Sequence, residues 1–312
     1  MNSVSMPNHG SKVICITGAN GFLGSATARA LANDGYKVIA LSRKGFISNS
    51  LNNNTDILQV SGTVEDWVTV IANEKPISVL SFDWSGVGRE HRDDQIQQES
   101  NIARIIRLAE TAKSVGAQSF LALGSQAEVA PQVHPIAEFE TDAPQSVYGE
   151  AKVTARKEVQ SILSGSETKF IWGRVFTIYG PGDTRDSFIT RIIKSLLVDE
   201  NFHVANPNGS WSFLYIEDFV NALETLIGHQ EVAGIINIGN PVGTKIADVA
   251  EQIAESLGKL GRIGKPFAMD SDSNDLTWIP ETPSLSNLGW KAKVQMDSGL
   301  EATIKWWKGE LK

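Results

Sequence analysis

The sequence predicts an α/β fold in which a doubly wound parallel sheet is followed by a smaller C-terminal α+β lobe. Up to about residue 180, short apolar runs typical of buried strands alternate with helical patterns. Strands and helices that alternate in this way form a parallel sheet with right-handed crossovers. Beyond residue 180 the alternation stops. We therefore expect one domain over residues 11–180, to which a later strand near 235–239 returns, and a second domain over 181–312.

The first element combines a strand with a glycine-rich turn. Residues 13–17 are mostly apolar and β-branched, as in a strand covered on both faces. Gly18, Gly21 and Gly24 follow at a spacing of three, and a helix begins at about Phe22. Such glycines permit a tight turn, the close approach of a pyrophosphate and close packing of helix on strand. Unpaired N–H groups at the helix start favour the same ligand. This pattern predicts a Rossmann-type dinucleotide site.

The other elements follow in chain order. The apolar runs predict further strands at 37–41, 56–60, 78–82, 119–123 and from 170 onward. The first domain also contains predicted helices at 65–73, 101–114 and 148–163. The second domain contains predicted helices at 188–198, 217–227, 246–257 and 299–308, with a hairpin around 206–209. We expect this lobe at the carboxyl ends of the strands, where open α/β sheets bind substrates.

Composition argues against several classes of function. The 28 Lys and Arg against 36 Asp and Glu give a net charge of −8, which disfavours nucleic acid and anionic membranes as partners. No apolar run approaches the ~18 residues of a membrane span, and residues 1–11 lack the apolar core of a signal peptide. The single cysteine, Cys15, fits a reducing compartment. We expect a cytoplasmic protein, and the spacing of the histidines predicts no metal site.

Tyr148 and Lys152 form a candidate acid–base pair. They stand four residues apart at the start of a predicted helix, so they share one face of it. A phenol has a pKa near ~10, and a nearby ammonium lowers that pKa by stabilising the phenolate. Ser125 closes the fifth strand and could add a neutral hydrogen-bond donor. A solvated surface pair is the alternative, but the preceding glycine motif favours catalysis.

Residues 17–24 and 148–152 together resemble the extended short-chain dehydrogenase/reductases, specifically the nucleotide-sugar epimerase/dehydratase/reductase branch. Further matching segments occur in the family's order at 173–183, 213–218, 236–239 and 288–290. The resemblance covers nearly the whole chain. It implies a substrate lobe, a nucleotide-sugar substrate and a homodimer built on the helices at 101–114 and 148–163.

The resemblance also implies roles for individual residues. Tyr148 would exchange a proton with a sugar oxygen, Lys152 would hold the nicotinamide ribose, and Ser125 would polarise the reacting carbonyl. Asn101 would help a water relay protons to Lys152. The residues expected to bind cofactor are Gly18, Asn20, Gly21, Phe22, Leu23, Gly24, Ser42, Arg43, Thr63, Val64, Phe82, Asp83, Trp84, Leu123, Tyr148, Lys152, Val175 and Phe176. Those expected to bind substrate are Trp84, Ser125, Gln126, Tyr148, Thr177, Arg185, Arg191 and Trp211.

The end of the second strand predicts the cofactor. NAD enzymes place an acidic residue there to bind the ribose 2′-hydroxyl. This chain has Ser42, Arg43 and Lys44 instead. Ser42 and Arg43 suit a 2′-phosphate, so NADP(H) is the preferred cofactor and NAD(H) the alternative.

Three functions remain open, with one preferred. Dehydratases of this branch carry Asp-Glu just after the residue matching Ser125, whereas Gln126 and Ala127 follow it here. Glu128 comes one position later and is either structural or substrate-orienting. We expect an NADPH-dependent reductase that carries hydride to C4 of a nucleotide-linked 4-keto-6-deoxy sugar. A nucleotide-sugar 4-epimerase that retains NAD and a non-catalytic NADP-binding regulatory protein are the alternatives.

The chain departs from the family at several positions. Trp211 and Asp272 stand near positions where relatives often carry arginines for the substrate pyrophosphate. Asp83 replaces a small residue beside the cofactor, Thr63 an aspartate and Thr177 an asparagine. The remaining candidate phosphate ligands are Arg174, Arg185, Arg191 and Lys194. Arg174 is also a candidate partner in a structural ion pair.

Overall fold

The computed structural model describes residues 12–45, 51, 54–229, 231–264 and 276–311. The N-terminal residues 1–11 and Asp272, both considered above, lie outside the described residues, as does part of the loop predicted at 45–55. The strands are β1 Val13–Thr17, β2 Lys37–Ser42, β3 Ile57–Ser61, β4 Ser78–Ser81, β5 Ser119–Ser125, β6 Lys169–Val175, β7 Thr177–Tyr179, β8 Phe202–His203, β9 Ser210–Tyr215, β10 Gly234–Ile238, β11 Gly243–Lys245, β12 Ile263–Gly264 and β13 Thr277–Trp278. The helices are α1 Phe22–Asn33, α2 Val64–Glu74, α3 Gln95–Ser114, α4 Val147–Leu163, α5 Phe188–Leu197, α6 Ile216–Gly228, α7 Ile246–Leu257, α8 Pro283–Asn287 and α9 Met296–Glu310.

A seven-stranded sheet, in the order β10-β6-β5-β4-β1-β2-β3, confirms the predicted Rossmann-type fold. Strand β1 pairs in parallel with β2 on one side and β4 on the other. The strand order therefore reverses at the carboxyl end of β1, which is where open α/β sheets bind ligands. Ile14, Cys15 and Ile16 of β1 are fully buried, as expected for a strand covered on both faces.

Helices α2, α3 and α4 cover buried side chains of this sheet. Trp67 of α2, Leu108 of α3 and Val159 of α4 belong to one apolar cluster with residues of β1, β2, β4, β5 and β6. Each of these helices begins at a side-chain cap, provided by Thr63, Asp94 and Ser146 in turn. Apolar burial fixes the faces of the helices, and the caps fix where they begin.

Two local predictions differ from the structure. Helix α3 begins at Gln95, six residues before the predicted start, because the Asp94 side chain accepts from the Gln97 N–H and caps a polar first turn. The hairpin predicted around 206–209 is wrong. Strand β8 pairs with β12, whereas β9 pairs with β7, β11 and β13. The turn residues mark a turn, but the partner of each strand is decided by tertiary packing.

The chain forms two compact units and passes between them more often than one boundary near residue 180 implies. The first unit contains the described residues of Met1–Gly124, Pro144–Gly173 and Leu223–Ile235. The second contains Ser125–Ala143, Arg174–Ala222 and the described residues of Ile236–Lys312. A segment that leaves the end of a strand can pack away from its own sheet before the chain returns, so the units are not contiguous in sequence.

The second unit is built on a small sheet around β9. Strand β9 pairs antiparallel with β11 and parallel with β7 and β13. Beside it lies an aromatic cluster in which the Phe188 ring centroid is 5.9 Å from that of Trp211 and 6.1 Å from that of Phe202. Contacts at these distances stabilise a core through their buried area and edge-to-face geometry.

Membrane spans and metal clusters are both absent from the described residues. No helix among them has the length and apolar character that crossing a bilayer requires. Within the same residues, no group of three or more His, Cys, Asp or Glu side chains could hold a metal ion.

Candidate active site

The glycine-rich turn packs β1 tightly against α1. Gly18 has φ of +68°, and a Cβ there would lie 2.8 Å from the carbonyl carbon of Phe82. A Cβ on Gly24 would lie 2.8 Å from the carbonyl carbon of Gly18. The Gly21 N–H donates to the Gly18 carbonyl over 2.9 Å. Both end glycines are therefore required sterically at these positions.

The start of α1 fits the pyrophosphate of a dinucleotide. Its N-cap residue, Gly21, offers no side-chain hydrogen bond, and its first turn carries no acidic residue. The N–H groups and the positive end of the helix dipole are therefore not satisfied by a side-chain cap within the described part of the chain. An anion is the ligand that this arrangement suits.

A cluster of charged side chains at the ends of β2 and β4 contains Arg43, the residue predicted to bind a 2′-phosphate. Arg43 Nε donates to Asp83 Oδ1 over 3.0 Å, and 44% of the Arg43 side chain is exposed. Arg104 Nε lies 2.7 Å from the other carboxylate oxygen of Asp83. Ser42 precedes Arg43 and is buried. Asp83 thus stands between two guanidinium groups, and the three side chains carry a net charge of one positive unit.

Thr63, expected near the adenine, takes part in a helix cap. Its hydroxyl accepts from the Asp66 N–H, and its own N–H donates to the Asp66 carboxylate over 2.8 Å. The Thr63 N–H and the Thr63 hydroxyl both donate to the Asp66 carboxylate, and these two hydrogen bonds lower the pKa of that carboxyl. Val64 is the first residue of the helix that they cap. The predicted cofactor contacts of both residues remain predictions.

Tyr148 and Lys152 lie in the first two turns of α4, and both are almost fully buried. Lys152 Nζ donates to the carbonyl of Leu123 on β5 over 2.8 Å. The same nitrogen is 5.8 Å from the centroid of the Tyr148 ring. It is also 3.5 Å from the centroid of the Trp84 ring. The predicted solvated pair is excluded by this burial, and the ammonium is held near the phenol.

Asn101 fixes the turn that follows β4. Its Oδ1 accepts from the Ser85 N–H over 3.0 Å, and its Nδ2 donates to the Ser85 carbonyl over 2.8 Å. Arg104 also donates to Oδ1. The side chain therefore sets the conformation of a loop beside Lys152 and Trp84, while its implied part in a proton relay remains a prediction.

In the second unit, Glu128 and Arg174 form a buried ion pair that holds Ser125. The Ser125 N–H donates to Glu128 Oε1 over 2.7 Å, and Ser125 Oγ accepts from the Ala127 N–H. Arg174 Nε lies 3.7 Å from Glu128 Oε2, and both side chains are fully buried. Of the two interpretations of Glu128, the geometry supports the structural one. Arg174 is likewise an internal ion-pair partner.

Gln126 has a polar atom without a hydrogen-bond partner within the described residues. Its Oε1 is buried, in a side chain that is otherwise partly exposed. A buried amide oxygen in this state favours a ligand that donates a hydrogen bond. Gln126 follows the last residue of β5, so it extends from the carboxyl end of a central strand.

The remaining residues predicted to bind substrate differ in whether internal contacts hold their side chains or leave them lining a cavity. Arg185 makes a two-pronged contact with buried Asp183, with Nε–Oδ1 at 2.6 Å and Nη2–Oδ2 at 3.1 Å. Arg191 lines a cavity of about 520 Å³ in the second unit together with other polar and aromatic residues, including Lys194, Phe202 and His203. Trp211 packs in the aromatic cluster, and Thr177 begins β7. At the end of β6, Val175 precedes Phe176, whose N–H donates to Ile238.

Sequence reasoning missed two polar residues of the site. Gln98 accepts from Trp84 Nε1 over 2.8 Å, and Arg104 lies against Asp83. Together with Asn101 they stand at every third position along α3. Residues three apart share a face of a helix. This three-residue spacing was the signal in the sequence that could have found these residues. Two of the three polar side chains are buried on the helix.

Comparisons with known proteins agree with this geometry. Residues 14–239 match the family described as "NAD dependent epimerase/dehydratase family". GDP-L-fucose synthase 1 of Arabidopsis thaliana is 25% identical over an alignment of 329 positions, which covers 98% of this chain and 96% of that protein. UDP-glucuronic acid decarboxylase 1 of Xenopus tropicalis is 25% identical over an alignment of 322 positions, which covers 96% of this chain and 73% of that protein.

Solved structures share the fold. UDP-glucose 4-epimerase of Thermotoga maritima with UDP-glucose has a TM-score of 0.84 at 20% identity, over 96% of this chain and 100% of the other. The dTDP-glucose 4,6-dehydratase of Bacillus anthracis in complex with NAD has a TM-score of 0.82 at 19% identity, over 96% and 97%. At this identity the likeness shows a common architecture.

Proposed function

Since the chain belongs to the NAD dependent epimerase/dehydratase family and is an NAD(P)-dependent enzyme of the extended short-chain dehydrogenase/reductase type, we propose that it reduces a nucleotide-linked 4-keto-6-deoxy sugar with NADPH. The observation that carries the proposal is the end of β2. Ser42 and Arg43 occupy it, in place of the acidic residue that binds a ribose 2′-hydroxyl in NAD enzymes. Arg43 is anchored through Nε, so its two terminal nitrogens can bind a phosphate end-on.

In the proposed reaction, a reduced nicotinamide supplies a hydride to C4 of the sugar. The Tyr148 hydroxyl donates a proton to the carbonyl oxygen, so that hydride and proton together give the C4 alcohol. The Lys152 ammonium stabilises the phenolate that remains until solvent returns the proton. Ser125, expected to polarise the same carbonyl, is held by Glu128 through its peptide N–H.

The residues after Ser125 argue against a dehydratase. Elimination of water needs an acid and a base beside the sugar. Gln126 and Ala127 cannot supply them, and the nearest carboxylate, Glu128, is fully buried against Arg174. A reductase needs only the Tyr148 proton and the hydride, which is consistent with this chain.

The cavity lined by Arg191 and Lys194 supports a phosphate-bearing substrate. The two cationic side chains suit a diphosphate and the Phe202 ring suits a base, although Asp186 and Glu200 also line the cavity. Several relatives are also named after nucleotide sugars, such as UDP-glucuronic acid and GDP-L-fucose. A homodimer and a cytoplasmic location belong to the same proposal, and sedimentation of the purified protein would test the first.

A nucleotide-sugar 4-epimerase that retains NAD is the second candidate. It is favoured by Asp83, which lies against Arg43 and Arg104 and partly neutralises the cation expected to bind a 2′-phosphate. A regulatory protein without turnover is disfavoured by the buried Tyr148 and Lys152, since burying an ammonium without a function is costly.

The proposal is tested by fluorescence titration with NADPH and NADH, followed by NADPH consumption with 4-keto-6-deoxy sugars linked to dTDP, CDP, GDP or UDP. We expect tighter NADPH than NADH binding, and loss of this difference in Arg43→Ala. Tyr148→Phe should lower kcat at least about 100-fold while cofactor affinity is kept. NAD that copurifies, with no net cofactor consumption, would establish the epimerase instead. Dinucleotide binding without turnover on any keto-sugar would leave the regulatory protein.

A further inference from the structure

Trp84, predicted only as a contact to cofactor and substrate, lies at the centre of the buried acid–base group. Lys152 Nζ stands 3.5 Å from the centroid of the indole ring and 2.8 Å from the Leu123 carbonyl oxygen. Only 3% of Lys152 is exposed. The ammonium is therefore held between a strand carbonyl and an aromatic face, and a face of this kind attracts a cation through its quadrupole.

The indole is itself fixed in orientation. Its Nε1 donates to Gln98 Oε1 over 2.8 Å, and Gln98 Nε2 donates to the Gly86 carbonyl over 3.1 Å. Asn101 Nδ2 donates to the same Gln98 oxygen. Hydrogen bonds from two residues of α3 thus lock the loop that carries Trp84. A ring held at its polar edge keeps its face in one place.

The same ring also contacts the phenol. The Trp84 and Tyr148 centroids are 6.3 Å apart, with the ring planes at 87°. This edge-to-face arrangement is a favourable one for aromatic pairs. The guanidinium carbon of Arg92 also lies near Tyr148, 5.0 Å from the ring centroid. One indole therefore touches both members of the acid–base pair.

We propose that Trp84 is a positioning residue that holds the Lys152 ammonium beside Tyr148. The proposal rests on the function proposed above. A carboxylate in this place would also hold the lysine, but its negative charge would oppose the effect of the ammonium on the phenol. An indole attracts the cation without adding a net charge. Trp84 therefore fixes a flexible four-carbon side chain while leaving its electrostatic effect on Tyr148 intact.

The kinetic test compares Trp84→Leu with Trp84→Phe, and Trp306→Leu on α9 is the control. Leucine fills space without a quadrupole, so we expect kcat to fall about tenfold with the substrate KM changed less than about twofold. Phenylalanine retains an aromatic face and should restore kcat to within about threefold of the wild type. The Trp306 variant should match the wild type. Thermal unfolding of each variant excludes loss of the fold.

A spectroscopic test does not depend on turnover. A lysine methylene above an indole face is displaced upfield by the ring current, so protein labelled with 13C at lysine Cε should show a displaced resonance from Lys152. It should disappear in Trp84→Leu and in Lys152→Met.

Failure of every sugar to react would then refute the proposed function alone. Absence of the displaced resonance would overturn the positioning role, as would equal kinetic losses in Trp84→Leu and Trp84→Phe. Tighter NADPH binding in Trp84→Leu would also overturn the positioning role, since the ring would then obstruct the cofactor. Unchanged kcat in Trp84→Leu would overturn it as well, since the ring would then contribute nothing.

Discussion

Single residues in this protein show how buried charge is balanced around the candidate site. Asp83 lies between Arg43 and Arg104, and Glu128 lies against Arg174. These pairs were not predictable from the sequence, because partners such as Glu128 and Arg174 are far apart along the chain. The Tyr148 and Lys152 pair was predictable, because residues four apart on a helix share a face whatever surrounds them.

The Glu128–Arg174 pair leads to a prediction about stability. Arg174→Met removes the guanidinium beside a fully buried carboxylate and should lower the free energy of unfolding by about 3–5 kcal/mol. The double variant Glu128→Gln with Arg174→Met should recover most of that loss, because neither charge then remains. Urea unfolding followed by circular dichroism measures both values.

The exposed pair of Lys37 and Glu74 provides the matched control. Its atoms are 3.0 Å apart, but both side chains are substantially exposed. Lys37→Met should therefore cost less than about 1 kcal/mol. A loss in Arg174→Met as small as that in Lys37→Met would contradict the account of Arg174 as a buried structural ion-pair partner.

At the scale of secondary-structure elements, burial decided which predictions were correct. Strands β1 to β5 agree with the predictions to within two residues at either end, and β6 begins one residue before its predicted start, because continuous apolar runs are typical of strands buried on both faces. The start of α3 was missed because its first turn, beginning at Gln95, is polar, although Asp94 was a readable cap. The predicted hairpin failed because turn residues do not determine which strands pair.

The first turn of helix α6 binds a segment that is distant along the chain. The buried Asp218 carboxylate accepts from the N–H groups of Lys293 and Val294 over 2.9–3.0 Å. Its carbonyl accepts from Trp290 Nε1 over 3.2 Å. The segments at 213–218 and 288–290, which contributed to the family resemblance, are therefore joined structurally.

We predict that Asp218→Ala lowers the free energy of unfolding by about 2–3 kcal/mol, since two N–H groups lose a charged acceptor. The neighbouring exposed Glu217 is the control, and Glu217→Ala should cost less than about 1 kcal/mol. Thermal and urea unfolding measure the difference. Similar losses in the two variants would show that the helix dipole, rather than the bonds to Lys293 and Val294, explains the effect.

At the scale of the whole molecule, Cys15 reports on opening of the large sheet. It is the one cysteine of the 312 residues and is fully buried in β1. Burial raises the pKa of its thiol to about 12, so at pH 8 the native protein holds it protonated as well as inaccessible. A thiol reagent can therefore react only when the sheet opens.

We predict that native protein at pH 8 reacts with a chromogenic disulfide at least about a thousandfold more slowly than protein in 6 M guanidinium. A dinucleotide at about 100 times its Kd should slow the reaction about a further 100-fold, because it binds the folded state only. Absorbance of the released thiolate gives the rate. Fast labelling of the native protein would show that β1 opens locally, without global unfolding.

The position of β10 in the sheet has a consequence for synthesis on the ribosome. Strand β10 lies beside β6, yet about 60 residues are translated between the end of one and the start of the other. At about 5–20 residues per second, β6 waits roughly 3–12 s with its outer edge unpaired. An unpaired edge is a template for joining another chain. The nascent protein therefore exposes this edge to aggregation during this interval, when six strands of the large sheet are made and the seventh is still to come.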